Sequence, residues 1–172
     1  MRHFLFLLIT LTFFSCQQTS ESKEKNAVKT TSYYFIRHAE KNRSDPSNKN
    51  PNLTIDGHKR AKKWSDVFKH ITFDKIYSTN YNRTIQTAQP TANKQNVPIQ
   101  FYKPNNLYSK EFINNTKGKT VLVVGHSNTT PSFVNKVLNE EKYQNINDSV
   151  NGNLYIVTIK NQSKTDYLLS IQ

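Results

Sequence analysis

Cysteine occurs once in this chain of 172 residues, at Cys16. No disulfide can therefore close within it, and stability has to come from core packing. Acidic residues are also scarce, with 12 Asp and Glu against 24 Lys and Arg for a net charge of +12. Residues 32–172 hold 20 of the bases and 10 of the acids, so the imbalance belongs to the main body of the chain. Such a surface favours anionic partners. No nucleic-acid module is recognisable and no basic run is interleaved with aromatics, which argues against nucleic acid. Clusters of Asp and His that would hold a catalytic metal are missing, as are internal repeats. The four glycines (Gly57, Gly118, Gly125 and Gly152) fall at expected helix starts or loops, as suits a regular fold. The apolar run from Phe4 to Phe14 has eleven residues, interrupted by Thr10 and Thr12, and is too short to cross a bilayer comfortably as a helix.

What that run does suit is export. Arg2 and His3 give it a short cationic start, and Ser15-Cys16 ends it, as in a secretory leader. A cysteine directly after the apolar run, behind a small residue, resembles the lipobox of bacterial lipoproteins, in which the cysteine becomes the lipidated first residue. Phe13 departs from the Leu usual three places earlier, and an ordinary cleaved signal peptide is the alternative. By similarity to sorted lipoproteins, Gln17 rather than Asp after the cysteine implies an outer-membrane anchor facing the periplasm. Residues 17–31 are polar, mixed in charge and nearly free of apolar side chains. They are expected to form a flexible tether to one domain at 32–172.

That domain is organised around Ser32-Tyr33-Tyr34-Phe35-Ile36-Arg37-His38-Ala39-Glu40. An apolar, aromatic run reads as a buried strand, and it delivers a guanidinium and an imidazole at its carboxyl end. The ends of strands are where open α/β sheets bind ligands. A second such place follows at Val121-Leu122-Val123-Val124-Gly125-His126-Ser127-Asn128, with Gly125 read as a sharp turn. Thr54 can cap a helix with Ala61, Trp64, Val67 and Phe68 on one face, Trp64 as a core anchor. After a short strand at 74–78, Thr79 or Asn80 can cap a helix that Pro90 bends or interrupts. Arg83 then lies in the first turn, where free N–H groups already attract anions. Further expectations are a strand at 97–102, a weak helix at 105–115, a helix after Pro131, and a terminal hairpin turning at 161–164 that closes one sheet edge. Alternation of strand and helix predicts a three-layer α/β domain, with a largely parallel central sheet and helices on both faces.

Arg37-His38-Ala39-Glu40 resembles the Arg-His-Gly-Glu signature of the histidine phosphatase (phosphoglycerate mutase-like) superfamily, with Ala39 in the Gly position. Leu53-Thr54 with Gly57 and Arg60-Ala61, Tyr77-Ser78-Thr79 leading to Arg83-Thr84 and Gln86-Thr87-Ala88, and Gly125-His126-Ser127 follow in the family's order. The resemblance implies the same α/β architecture. It also implies a phosphohistidine mechanism with His38 as nucleophile and Arg37, Arg83 and His126 on the phosphoryl oxygens, Ser127 beside them. Neither a metal nor a cofactor is implied.

Chemistry agrees: two guanidiniums and two imidazoles make a pocket for a dianion, with no carboxylate clearly among them. The short domain suits a small phosphatase of the phosphohistidine-phosphatase-like branch, acting on a phosphorylated small molecule or phosphoprotein, and expected as a monomer. Two alternatives stay open: mutase-type phosphoryl transfer, and a membrane-tethered phospholigand-binding module without turnover. Many family members carry a Glu or Asp after the third strand to protonate the leaving group. Between Arg83 and His126 the sole carboxylate is Glu111, a weak candidate.

Overall fold

The computed structural model describes residues 29–172. The expected leader at 1–16 and nearly all of the expected tether lie outside the described residues. Strand β1 (Thr31–Arg37) starts one residue earlier than the sequence suggests, because Thr31 is buried and its Oγ1 accepts from the Gly118 N–H at 2.7 Å. Along β1, Tyr33 and Phe35 enter one apolar layer and Ile36 the other. Strand β4 (Thr120–Gly125) runs parallel to it, from Ser32↔Thr120 to Arg37↔Gly125, and divides Val121 and Val123 from Leu122 and Val124 in the same way. Burial on both faces is why these strands read as unbroken apolar runs.

Strand β2 (Lys75–Ser78) pairs parallel with β4, and strand β3 (Ile99–Phe101) parallel with β2. On the far side of β1, strands β5 (Asn153–Lys160) and β6 (Ser163–Ser170) form an antiparallel hairpin. The six-stranded order is β3-β2-β4-β1-β5-β6. Helices α1 (Ile55–Val67) and α2 (Asn82–Gln95) cover one face through Trp64, Phe68, Ala88 and Ala92. Helices α3 (Lys110–Thr116) and α4 (Thr129–Leu138) cover the other through Phe112, Phe133, Val134 and Val137. The molecule is thus a three-layer α/β domain with a largely parallel sheet.

Several local expectations shift. The hairpin turn is two residues, Asn161 and Gln162, at φ 50° and 68°, and β6 therefore starts at Ser163. Two successive left-handed residues match the right-handed strand twist, as type I′ turns do. Helix α3 begins only at Lys110, because Ser109 caps it by accepting from the Phe112 N–H. Helix α2 runs through Pro90 to Gln95 without interruption. Its N-cap is Tyr81, with no side-chain bond, rather than Thr79 or Asn80. Asn50, from the loop after β1, accepts the Asn82 N–H instead, at 2.8 Å. Thr54 does cap α1, accepting from the Gly57 N–H at 3.0 Å.

Candidate active site

Because β1, β2 and β4 are parallel, their carboxyl ends share one edge, and Arg37, His38, Arg83, His126 and Ser127 meet there. They line an open cleft of about 340 Å³ together with Lys41, Tyr81, Pro104, Asn128, Thr129 and Asp148. The rings of His38 and His126 stand edge to face, 5.5 Å between centroids.

His38 is fixed on several sides. Its N–H donates to Gly125 O at 2.9 Å, its carbonyl accepts from Asn151 Nδ2 at 2.8 Å, and the next N–H, of Ala39, donates to Thr87 Oγ1 at 2.9 Å. The ring nitrogen Nδ1 lies 2.7 Å from Ala39 O. A carbonyl can only accept, so Nδ1 carries the hydrogen and Nε2 keeps its lone pair in the neutral ring. Burial pushes the imidazole pKa down to about 3; Arg37, His126 and Arg83 push the same way, and the Ala39 carbonyl opposes them. The ring is thus neutral at physiological pH.

Arg37 is almost wholly buried. Its Nη1 donates to Asn147 O at 2.9 Å and Val150 O at 3.0 Å, and its Nη2 pairs with Asp148 Oδ1 at 2.7 Å. Asp148 also reaches Arg43 at 3.2 Å. No carboxylate has a clear place in this pocket from the sequence alone; Asp148 occupies one. A buried guanidinium demands a counter-charge, which was a usable signal, but nothing local pointed to a loop 111 residues away.

Arg83 sits in the first turn of α2, its guanidinium carbon 4.5 Å from the centre of the Tyr81 ring. Its Nη2 lies 3.4 Å from His126 Nδ1. The Nε atoms of both Arg37 and Arg83 are buried without a hydrogen-bond partner among the described residues. Unpaired buried donors are costly, and an acceptor ligand in the cleft would satisfy them.

The state of His126 follows from a hydroxyl chain. Thr84 Oγ1 donates its one hydrogen toward the Thr79 and Tyr81 carbonyls, so the Thr79 hydroxyl donates to Thr84. Thr79 Oγ1 must then accept from His126 Nε2, at 2.9 Å. Neutral His126 thus presents Nδ1 as an acceptor toward Arg83, and donates to a ligand only once Nδ1 is protonated. Burial, then Arg83, Lys41 and Arg37, push its pKa down to about 4. A bound dianion would reverse that electrostatic pressure.

Gly125 is needed for space rather than for a sharp turn. A Cβ there would lie 2.7 Å from Thr130 Oγ1 and 2.8 Å from the Tyr102 hydroxyl, and its φ is not in the left-handed region. Glu40 turns away to pair with Arg60 at 2.7 Å. Glu111 lines a separate cavity with Tyr77, Tyr102, Lys103 and Phe112, and is not among the cleft walls. Among the described residues no group of three or more His, Cys, Asp or Glu is arranged to hold a metal ion.

Residues 33–103 match the model of the histidine phosphatase superfamily (branch 1). Solved structures share the fold over most of the chain. A candidate phosphohistidine phosphatase SixA from Agrobacterium tumefaciens is 17% identical with a TM-score of 0.59, over 82% of this chain and 99% of that one. A protein histidine phosphatase SixA complexed with tungstate is 15% identical with a TM-score of 0.62, over 81% and 96%. A phosphoserine phosphatase mutant from Entamoeba histolytica in complex with phosphoserine is 15% identical with a TM-score of 0.62, over 79% and 94%. No curated protein matches the sequence. The fold is phosphoglycerate mutase-like, and the matched segment, which carries Arg37, His38 and Arg83, supports the histidine phosphatase superfamily. The SixA structures share that fold.

Proposed function

We propose that this protein is a metal-independent phosphatase that hydrolyses a phosphomonoester or phosphohistidine through a covalent phosphohistidine on His38. One observation carries the reading: a neutral imidazole with its Nε2 lone pair free shares a cleft with two arginines whose Nε–H groups are buried and unpaired. The Nε2 lone pair attacks phosphorus, the bond from phosphorus to the leaving oxygen or nitrogen breaks, and that atom takes the bonding pair and a proton from solvent water in the open cleft. Water then adds to phosphorus, the N–P bond returns its electrons to Nε2, and phosphate leaves. Arg37 and Arg83 stabilise the charge on the transferring oxygens throughout. With Arg37 held by Asp148 and two carbonyls, the clamp is set before substrate arrives, so little reorganisation is needed.

Among the described residues the cleft holds no carboxylic acid suited to protonating the leaving group. Asp148 is kept below the usual carboxylate range by Arg37 and Arg43, against the effect of its burial, and Glu111 lies elsewhere. Turnover of a series of aryl and alkyl phosphates by the full-length chain tests the reading. Rates should fall steeply as leaving-group pKa rises, by roughly a hundredfold or more for basic alkoxides, with Glu111→Gln changing them less than about tenfold. No phosphate release from even p-nitrophenyl phosphate would leave a binding module as the better reading. A flat dependence that turns steep in Glu111→Gln would make Glu111 the acid.

We also propose that the domain is tethered to the outer membrane through lipid on Cys16, which lies outside the described residues. No described helix is long and apolar enough to cross a membrane. Wild type should fractionate with membranes and Cys16→Ala should not, since each buried methylene contributes about 0.8 kcal/mol. Wild type recovered as soluble, processed protein would refute the anchor.

A further inference from the structure

Among the described residues Lys41 is the one amine on the cleft wall, and the proposed reaction gives it no role. Its backbone is held by the short antiparallel bridge Lys41↔Leu53, flanked by Asn42 N–H to Asn52 O at 2.8 Å and Thr54 N–H to Glu40 O at 2.9 Å. Partial burial beside Arg43, Arg83 and Arg37 holds its pKa below the usual lysine value, with only Asp148 opposing. The ammonium makes no hydrogen bond or ion pair among the described residues, although it lines a cleft that also holds Asp148.

Charge then decides the matter. Arg37, Arg83, Lys41 and Arg43 bring four positive charges to the cleft and its rim. Asp148 supplies one negative charge, already shared between Arg37 and Arg43. A phosphoryl dianion neutralises two of the remainder, and one cation is left over. Cations crowded together at partial burial are destabilising unless a ligand neutralises them.

We propose that Lys41 binds a second anionic group on the substrate, so that the preferred substrate is a phosphorylated molecule bearing a carboxylate or second phosphate on its leaving portion. The chemistry rests on the phosphatase reading; the recognition does not. Developing negative charge on the leaving atom would gain from the same ammonium, which fits a cleft with no committed acid.

The test is calorimetric, on full-length His38→Ala, which leaves the ester intact, with phenyl phosphate and 4-carboxyphenyl phosphate as probes. The carboxylated ester should bind about tenfold more tightly, the size of one partly buried charge pair. Adding Lys41→Met should bring the two esters within about twofold of each other, while Lys41→Arg keeps the preference. Equal weakening of both esters by Lys41→Met would mean that Lys41 holds the transferred phosphoryl group, and would overturn the proposal. So would the absence of a preference in the parent. Failure of the phosphatase reading looks different: wild type would keep the preference in binding and release no phosphate from either ester.

Discussion

His38→Ala should abolish phosphate release, and phosphate trapped on the wild-type chain during turnover should sit on Nε2 of His38. That regiochemistry is expected because the Nδ1–H bond to Ala39 O leaves Nε2 with the free lone pair. Rapid quenching with a radiolabelled substrate should give an acid-labile, base-stable adduct, and phosphorus NMR of the denatured chain should assign it to that nitrogen. Loss of the nucleophile should cost about 10⁴-fold or more in kcat, as for catalytic residues acting as a unit. Turnover with a normal burst in His38→Ala would end the covalent mechanism. A phosphate on Nδ1 would mean that the ring turns over before reaction.

The same ring makes the pH response unusual. With folded-state values pushed down to about 3 for His38 and about 4 for His126, both rings stay neutral at pH 5. The acid limb of kcat/KM should therefore reflect the substrate's own second ionisation, near pH 6, rather than an enzyme histidine. Stability follows from linkage. Between these depressed values and about 6.5 the unfolded chain binds protons that the folded chain refuses, so stability falls as pH falls through that window. Each histidine costs up to about 1.4 kcal/mol per pH unit there. The urea midpoint should drop between pH 7 and 5, and drop less in His38→Ala. Midpoints that hold level across that range would contradict the buried neutral histidines.

Gly57→Ala should lower stability by about 2 kcal/mol or more, although Gly→Ala inside an exposed helix ordinarily gains about 1 kcal/mol. Gly57 is buried in the first turn of α1, and an added Cβ would collide with Glu40 O and lie 3.0 Å from Leu53 Cβ. Neither neighbour can yield freely. Glu40 O accepts from both the N–H and the hydroxyl of Thr54, and Glu40 continues the backbone that carries Arg37 and His38. Activity should fall with stability, because the segment that carries His38 must move. Chemical denaturation and kcat/KM measured on the same preparation test this; a more stable, fully active Gly57→Ala would show that helix propensity outweighs the close contact.

Much of the frame was legible because its signals are local. Tyr33 to Ile36 and Val121 to Val124 are apolar on both faces, which defines buried strands wherever they occur. Thr54 lies three residues before Gly57, and that spacing suffices for a cap. Parallel strands joined by helices then force Arg37 and His126 onto one edge. Less was legible where a side chain had several suitors. Thr79 looked like a helix cap and instead relays a hydrogen bond between Thr84 and His126. Gly125 looked like a turn and instead makes room for Thr130 and Tyr102.

The sequence by itself determined the alternation of strands and helices, and with it the edge on which the histidines and arginines gather. Those properties depend on hydrophobic period and chain direction, which each segment carries alone. Only the tertiary structure decided that Asp148 and the carbonyls of Asn147 and Val150 hold Arg37, that Nε2 is the free nitrogen of His38, that His126 leans on Thr79, and that Glu111 faces another cavity. Each is a choice among equally competent partners far apart in the chain. Such choices are settled by which groups packing brings within about 3 Å of one another, and no local pattern encodes that distance.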